Sequence, residues 1–134
     1  MTREKLESYR AIRDEIAELR YRVAHLGEND SLVGNDVIMD YRSGYPIPRS
    51  VVGYDFEKER SLKTRYMDRI ENLKKEGVEI EEYVEDIQDS LTRRIFRMYF
   101  LEGMPQSEVA KRVRASQATV SNKISSFFEI AHNK

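Results

Sequence analysis

Apolar residues recur along most of this chain at steps of three and four, and those steps predict helices. From about Thr2 to Leu26 the series Tyr9, Ile12, Ile16, Leu19, Val23 and Leu26 alternates the two steps. That is a seam of the a/d kind, held for nearly three heptads. Arg and Glu are mixed between its members, with Glu18 and Arg22 at a supporting i, i+4 spacing. One long helix is expected, closed by Gly27. A seam this narrow has to be buried on another helix, in this chain or in a second copy. Tyr9, Ile12, Ile16, Leu19, Val23 and Leu26 are therefore the candidate oligomerisation residues. A second stripe, Phe56, Leu62, Tyr66, Ile70 and Leu73, predicts a helix from about Tyr54 to Glu76, with Gly77 as its stop. The two helices read as an antiparallel hairpin. Between them, over residues 28–53, the helical period is lost. Asp36–Tyr41 and Ile47–Val52 are β-prone, and Pro46 and Pro48 confine any pairing to an edge. A short β-hairpin and an irregular loop both fit. Tyr41, Arg42, Tyr45 and Arg49 there have side chains suited to nucleic acid, but nothing in their pattern requires it.

Beyond Gly77 the helices shorten. Ile80, Tyr83, Val84 and Ile87 mark an acidic helix from Val78 to Ile87, with six acids between Glu79 and Asp89. Asp89 or Ser90 can cap the next helix, Leu91–Leu101, whose stripe is Leu91, Ile95, Met98 and Tyr99 and whose end is Gly103. Met104–Phe128 then reads as a helix-turn-helix. Pro105 suits the start of its first helix. Val109, Ala110 and Val113 form that helix's inward face. Arg114-Ala115 is the turn, and Ser116 is placed to cap a second helix over Gln117–Phe128, with Val120, Ile124 and Phe127 inward. The expected fold is all-α, with a short β-hairpin or a loop in the middle. Residues 1–77 would be a helical oligomerisation region and residues 78–134 a helix-turn-helix domain.

The outward face of the last helix carries Gln117, Ala118, Ser121 and Asn122, with Lys123 beside them. Gln and Asn can bond adenine in a bidentate way, Ser can bond several base edges, and an Ala methyl can meet a thymine methyl. Lys111, Arg112, Arg114 and Lys123 surround that face and suit phosphates. Arg93, Arg94 and Arg97 stand on the outer face of the helix before it, where they can flank a groove or pair with the acidic helix. The plain alternative is a solvated helical hairpin. Against it, the polar face holds short, specific hydrogen-bonders where a merely solvated helix prefers Glu and Lys. No acid occurs from Val109 to Phe128.

Charge sharpens this picture. The 134 residues have a net charge of −1, but residues 91–134 hold eight Lys/Arg against three Glu, a balance of +5 that leaves −6 on residues 1–90. A basic C-terminal third on an acidic body is the pattern of a localised phosphate-binding surface. With no Cys there is no disulfide, thiolate metal site or thiol catalysis. His25 and His132 have no carboxylate at ligand spacing, so no metal or other cofactor is expected. No phosphate-binding Gly loop or nucleophile elbow appears, and the expectation is a non-enzyme. No apolar run reaches membrane length and no signal-peptide core is present, which points to the cytoplasm.

Residues 91–103 (LTRRIFRMYFLEG), Ser107–Val113 and Ser116–Ile124 together resemble the C-terminal DNA-binding region of sigma-70-type factors, which reads the −35 promoter element. More narrowly, the chain is similar to small sigma-like regulators encoded by phages and prophages of Gram-positive bacteria. Residues 29–34 and 51–54 share that likeness. The resemblance implies a sequence-specific regulator of transcription that binds double-stranded DNA in the bacterial cytoplasm; the N-terminal seam adds that it acts as a homo-oligomer, and RNA polymerase is a further candidate partner. It also implies base-reading positions at Ser116, Gln117, Thr119, Ser121 and Asn122, with Lys123 among them. The region of sigma factors that melts promoters has no counterpart here. Two other readings remain open: a DNA-packaging recognition subunit of the terminase type, and a module that contacts RNA polymerase without touching DNA.

Overall fold

The computed structural model describes residues 1–28, 33–40, 44 and 47–132; of the two strands and residues 131–132 it describes the backbone only. The fold is helical, with one β-hairpin. Its elements are α1 (Arg3–Glu7), α2 (Tyr9–Ala24), β1 (Val33–Asp40), β2 (Ile47–Tyr54), α3 (Phe56–Glu85), α4 (Ser90–Phe96), a π-helical turn (Arg97–Leu101), α5 (Gln106–Val113) and α6 (Gln117–His132). No described helix is long and apolar enough to cross a membrane.

The chain divides into two compact units, residues 1–16 with 72–134 and residues 17–71. This differs from the expected boundary at residue 77, and the reason is Gly77. It does not stop a helix: α3 runs through it for 30 residues, so the separate helix expected over Val78–Ile87 is the end of α3. Gly77 is buried, and a Cβ there would stand 3.8 Å from Tyr9 Cε2 and 4.0 Å from Ile12 Cγ2. α1 and the first turns of α2 are thus packed onto the C-terminal half of α3. Tyr9 donates to Glu81 Oε1, and Lys5 Nζ lies 3.7 Å from Glu76 Oε2. Burial, then the hydrogen bond to Glu81, pushes the Tyr9 phenol up to about 12. Because the space at Gly77 admits a methyl group, Gly77→Ala is expected to stabilise the fold by about 0.5–1 kcal/mol through helix propensity. Gly77→Leu would have to displace Tyr9 and Ile12, and is expected to cost about 1–3 kcal/mol. Denaturant titration of both variants checks the sign change.

The N-terminal helix also departs from expectation. It breaks at Ser8, whose Oγ donates to the Lys5 carbonyl at 2.6 Å, and it ends at Ala24. Ser competes in this way for backbone acceptors inside helices. Tyr9, Ile12 and Ile16 of the proposed oligomerisation seam are buried within the single chain. Their apolar faces are already covered, which removes half of that seam from any contact with a second copy. Leu19, Val23 and Leu26 are half-buried.

In the unit of residues 17–71 the hairpin is antiparallel, with Val33 opposite Tyr54 and Asp40 opposite Ile47. A two-stranded sheet consists only of edges, which is why Pro48 is accommodated opposite Met39. Tyr41, Arg42 and Tyr45 lie outside the described residues, as do residues 29–32 and the side chains of Arg49 and residues 51–54.

The other unit holds the main core. Leu6, Ile80, Val84, Ile95, Phe96, Val109, Val120 and Ile124 are fully buried. Phe96 is its aromatic centre, with ring centroids 5.1 Å from Phe100, 4.8 Å from Phe127 and 5.7 Å from Phe128. Gly103, at φ +74°, turns the chain out of the π turn, and Arg10 Nη1 donates to the Leu101 carbonyl there at 3.4 Å.

Candidate nucleic-acid interface

The turn between α3 and α4 is held by side chains. Asp89 is the N-cap of α4: its Oδ2 accepts from the Thr92 N–H at 3.0 Å and from Thr92 Oγ1 at 2.6 Å. Those two bonds hold the Asp89 carboxyl below its usual range, helped by the nearby charges of Lys123 and Arg93. Arg93 Nη1 donates to the Ile87 carbonyl at 2.8 Å, tying α4 back to the end of the preceding helix. Arg97 makes a bidentate pair with Glu85, Nε to Oε1 and Nη2 to Oε2, both at 2.9 Å. Of the three arginines expected on an outer, phosphate-facing surface, Arg93 and Arg97 are therefore engaged with α3 and the turn after it. Arg94 is exposed.

α5 begins after Pro105, which is extended at φ −61°, ψ 151° and serves as N-cap. Its carbonyl accepts from the N–H groups of Glu108 and Val109, both at 3.0 Å. Val109 and Ala110 are buried against α6, and Val113 is half-buried. α5 ends at Arg114, which adopts the left-handed conformation at φ 59°, ψ 46°. Its N–H and that of Ala115 both bond the Ala110 carbonyl, the latter at 3.0 Å. This closes the helix as a glycine normally does. The tight turn is thus made without glycine, at a cost of about 1–2 kcal/mol for an L-residue. Arg114→Gly is expected to raise stability by about 0.5–1 kcal/mol, since relief of strain outweighs the added freedom of the unfolded chain. A thermal melt checks it, and a fall in midpoint would contradict the strain argument.

Ser116 caps α6, as the pattern predicts. Its Oγ accepts from the Thr119 N–H at 3.1 Å and lies 2.8 Å from Thr119 Oγ1. Ser116 and Thr119 are thereby occupied first with each other and with the helix start. Gln117, Ala118, Asn122 and Lys123 are exposed and Ser121 is half-buried, while Val120 and Ile124 face the core. α6 continues past the expected end at Phe128 to His132. Lys111, Arg112 and Arg114 are exposed. The fold brings Gln117, Ala118, Ser121 and Asn122 onto one surface of α6.

One residue outside the expected set enters here. Glu108, in the first turn of α5, lies 3.6 Å from Arg112 Nη2. With Lys111 the two line a shallow surface depression. The i, i+4 spacing of Glu108 and Arg112 is visible in the sequence, and Glu108 immediately precedes the acid-free run of Val109–Phe128. Among the described residues no group of three or more His, Asp or Glu is placed to hold a metal ion. Comparison with protein-family models, with curated proteins and with solved structures found no match for this chain.

Proposed function

We propose that this protein binds double-stranded DNA sequence-specifically, with α6 in the major groove, and acts as a sigma-like transcriptional regulator of the phage-encoded kind in the bacterial cytoplasm. The observation that carries this reading is the exposed face of α6. Gln117 and Asn122 are exposed, with half-buried Ser121 beside them, on a helix that has its own cap, and no acid lies between Val109 and Phe128. Gln117 and Asn122 are the adenine readers, Ala118 offers its methyl to thymine, and Ser121 accepts or donates to a neighbouring edge. Lys111, Arg112, Arg114 and Lys123 take phosphates and set the register. A second copy supplies a second half-site, about one helical turn or a multiple of it away.

The test is a fluorescence-anisotropy titration of the full chain against duplex DNA over a range of salt. Four phosphate contacts per copy predict a log–log slope of about −3.6 on a single half-site and about −7 when two copies occupy a two-fold site. Absence of binding at low salt would overturn the proposal and leave the α5–α6 surface to a protein partner.

A further inference from the structure

Glu108 is the one acid within residues 103–128, and it sits one helical turn from a cation assigned to phosphate. Its ordinary role is plain: an acid in the first turn of α5 meets the exposed N–H groups and the positive end of the helix dipole. That role needs no contact with Arg112. Yet the carboxylate reaches the guanidinium at 3.6 Å, and Lys111 borders the same depression. Both side chains of the pair are about half exposed, 49% for Glu108 and 58% for Arg112. The contact is therefore open to exchange with solvent and with any incoming anion. A DNA phosphate approaching Arg112 meets a carboxylate already there.

We infer that Glu108 is an internal counterion that competes with DNA phosphate for Arg112 and so limits the strength and salt dependence of DNA binding. The inference rests on the DNA-binding reading. In the free protein the Glu108 charge partly neutralises Arg112. On binding, Arg112 exchanges carboxylate for phosphate, and the gain is only the difference between the two. Every duplex meets the same competition, because the exchange involves no base.

Glu108→Gln keeps the size and polarity of the side chain and removes its charge. Exposed pairs of this kind are worth up to about 1 kcal/mol, so affinity for an unrelated duplex should rise about two- to five-fold. The salt slope should steepen by part of about 0.9, the share of the Arg112–phosphate contact that Glu108 offsets, so by roughly 0.3–0.6. Arg112→Gln alone should weaken binding, and adding Glu108→Gln to it should restore little. Unchanged affinity and slope in Glu108→Gln would overturn the inference. So would a full gain from Glu108→Gln in the Arg112→Gln background, since the carboxylate would then be acting on DNA without Arg112. If the unmodified chain binds no duplex, it is the DNA-binding reading itself that fails.

Discussion

Phe96→Ala is expected to destabilise the unit of residues 1–16 and 72–134 by about 3–5 kcal/mol, the range for truncating a buried aromatic. Phe96 is fully buried at the end of α4 and touches rings from the π turn and from α6. Truncation would leave a cavity bordered by Phe100, Phe127 and Phe128. Phe100 would have to move with the π turn and Phe127 and Phe128 with α6 to fill it. Against a total stability of about 5–15 kcal/mol for a domain, the loss is a large fraction. Urea titration followed by helical circular dichroism measures it. Removing the exposed Arg97–Glu85 pair by Arg97→Ala should cost no more than about 1 kcal/mol, because exposed ion pairs are worth little. If Phe96→Ala costs no more than Arg97→Ala, this core is wrongly described.

The second large effect concerns recognition. Asn122→Ala should weaken binding to the preferred duplex by about 1–3 kcal/mol, roughly five- to 150-fold, with little change on unrelated duplexes. The amide of an exposed Asn can satisfy the N6 and N7 positions of one adenine together, and Ala leaves both unmet. Arg112→Ala should behave differently, weakening all duplexes alike and making the salt slope shallower by less than about 0.9, because Glu108 already offsets part of that contact. The two variants distinguish reading from holding. Competition binding with preferred and scrambled duplexes gives both numbers, and equal losses on both duplexes for Asn122→Ala would remove it from the base readers.

How far the pattern alone reached depends on what each element packs against. α5, its turn and the start of α6 were legible almost residue by residue, because their signals are local: Ser116 as cap, Val109 and Ala110 at helical spacing, Val120 and Ile124 inward. For α4 the pattern offers Asp89 and Ser90 as caps, and Asp89 is the one that takes the role. Gly77 was misleading. A glycine in a helical pattern signals a stop, but here the helix continues through it, with Tyr9 and Ile12 packed at ordinary van der Waals distance from the position of its missing Cβ. The same contact hid the partner of the N-terminal seam. An a/d stripe specifies that something must cover it, not whether the cover is the same chain, and here Tyr9, Ile12 and Ile16 are covered internally. Arg93 and Arg97 were ambiguous because sequence does not show which of two faces an arginine takes; a carbonyl at Ile87 and a carboxylate at Glu85 decide it. The place of the turn at Arg114-Ala115 is written in the sequence, but the left-handed conformation of Arg114 is not, since that conformation normally calls for glycine.

The central claim is that the exposed face of α6 reads DNA sequence, and selection from a randomised duplex pool at near-physiological salt tests it most directly. The account predicts enrichment of a short motif containing adenines, repeated at a spacing near one helical turn or a multiple of it. It further predicts that Gln117→Ala and Asn122→Ala each relax the motif at one position while leaving the rest intact. A pool bound without enrichment, or a motif indifferent to both substitutions, would contradict it.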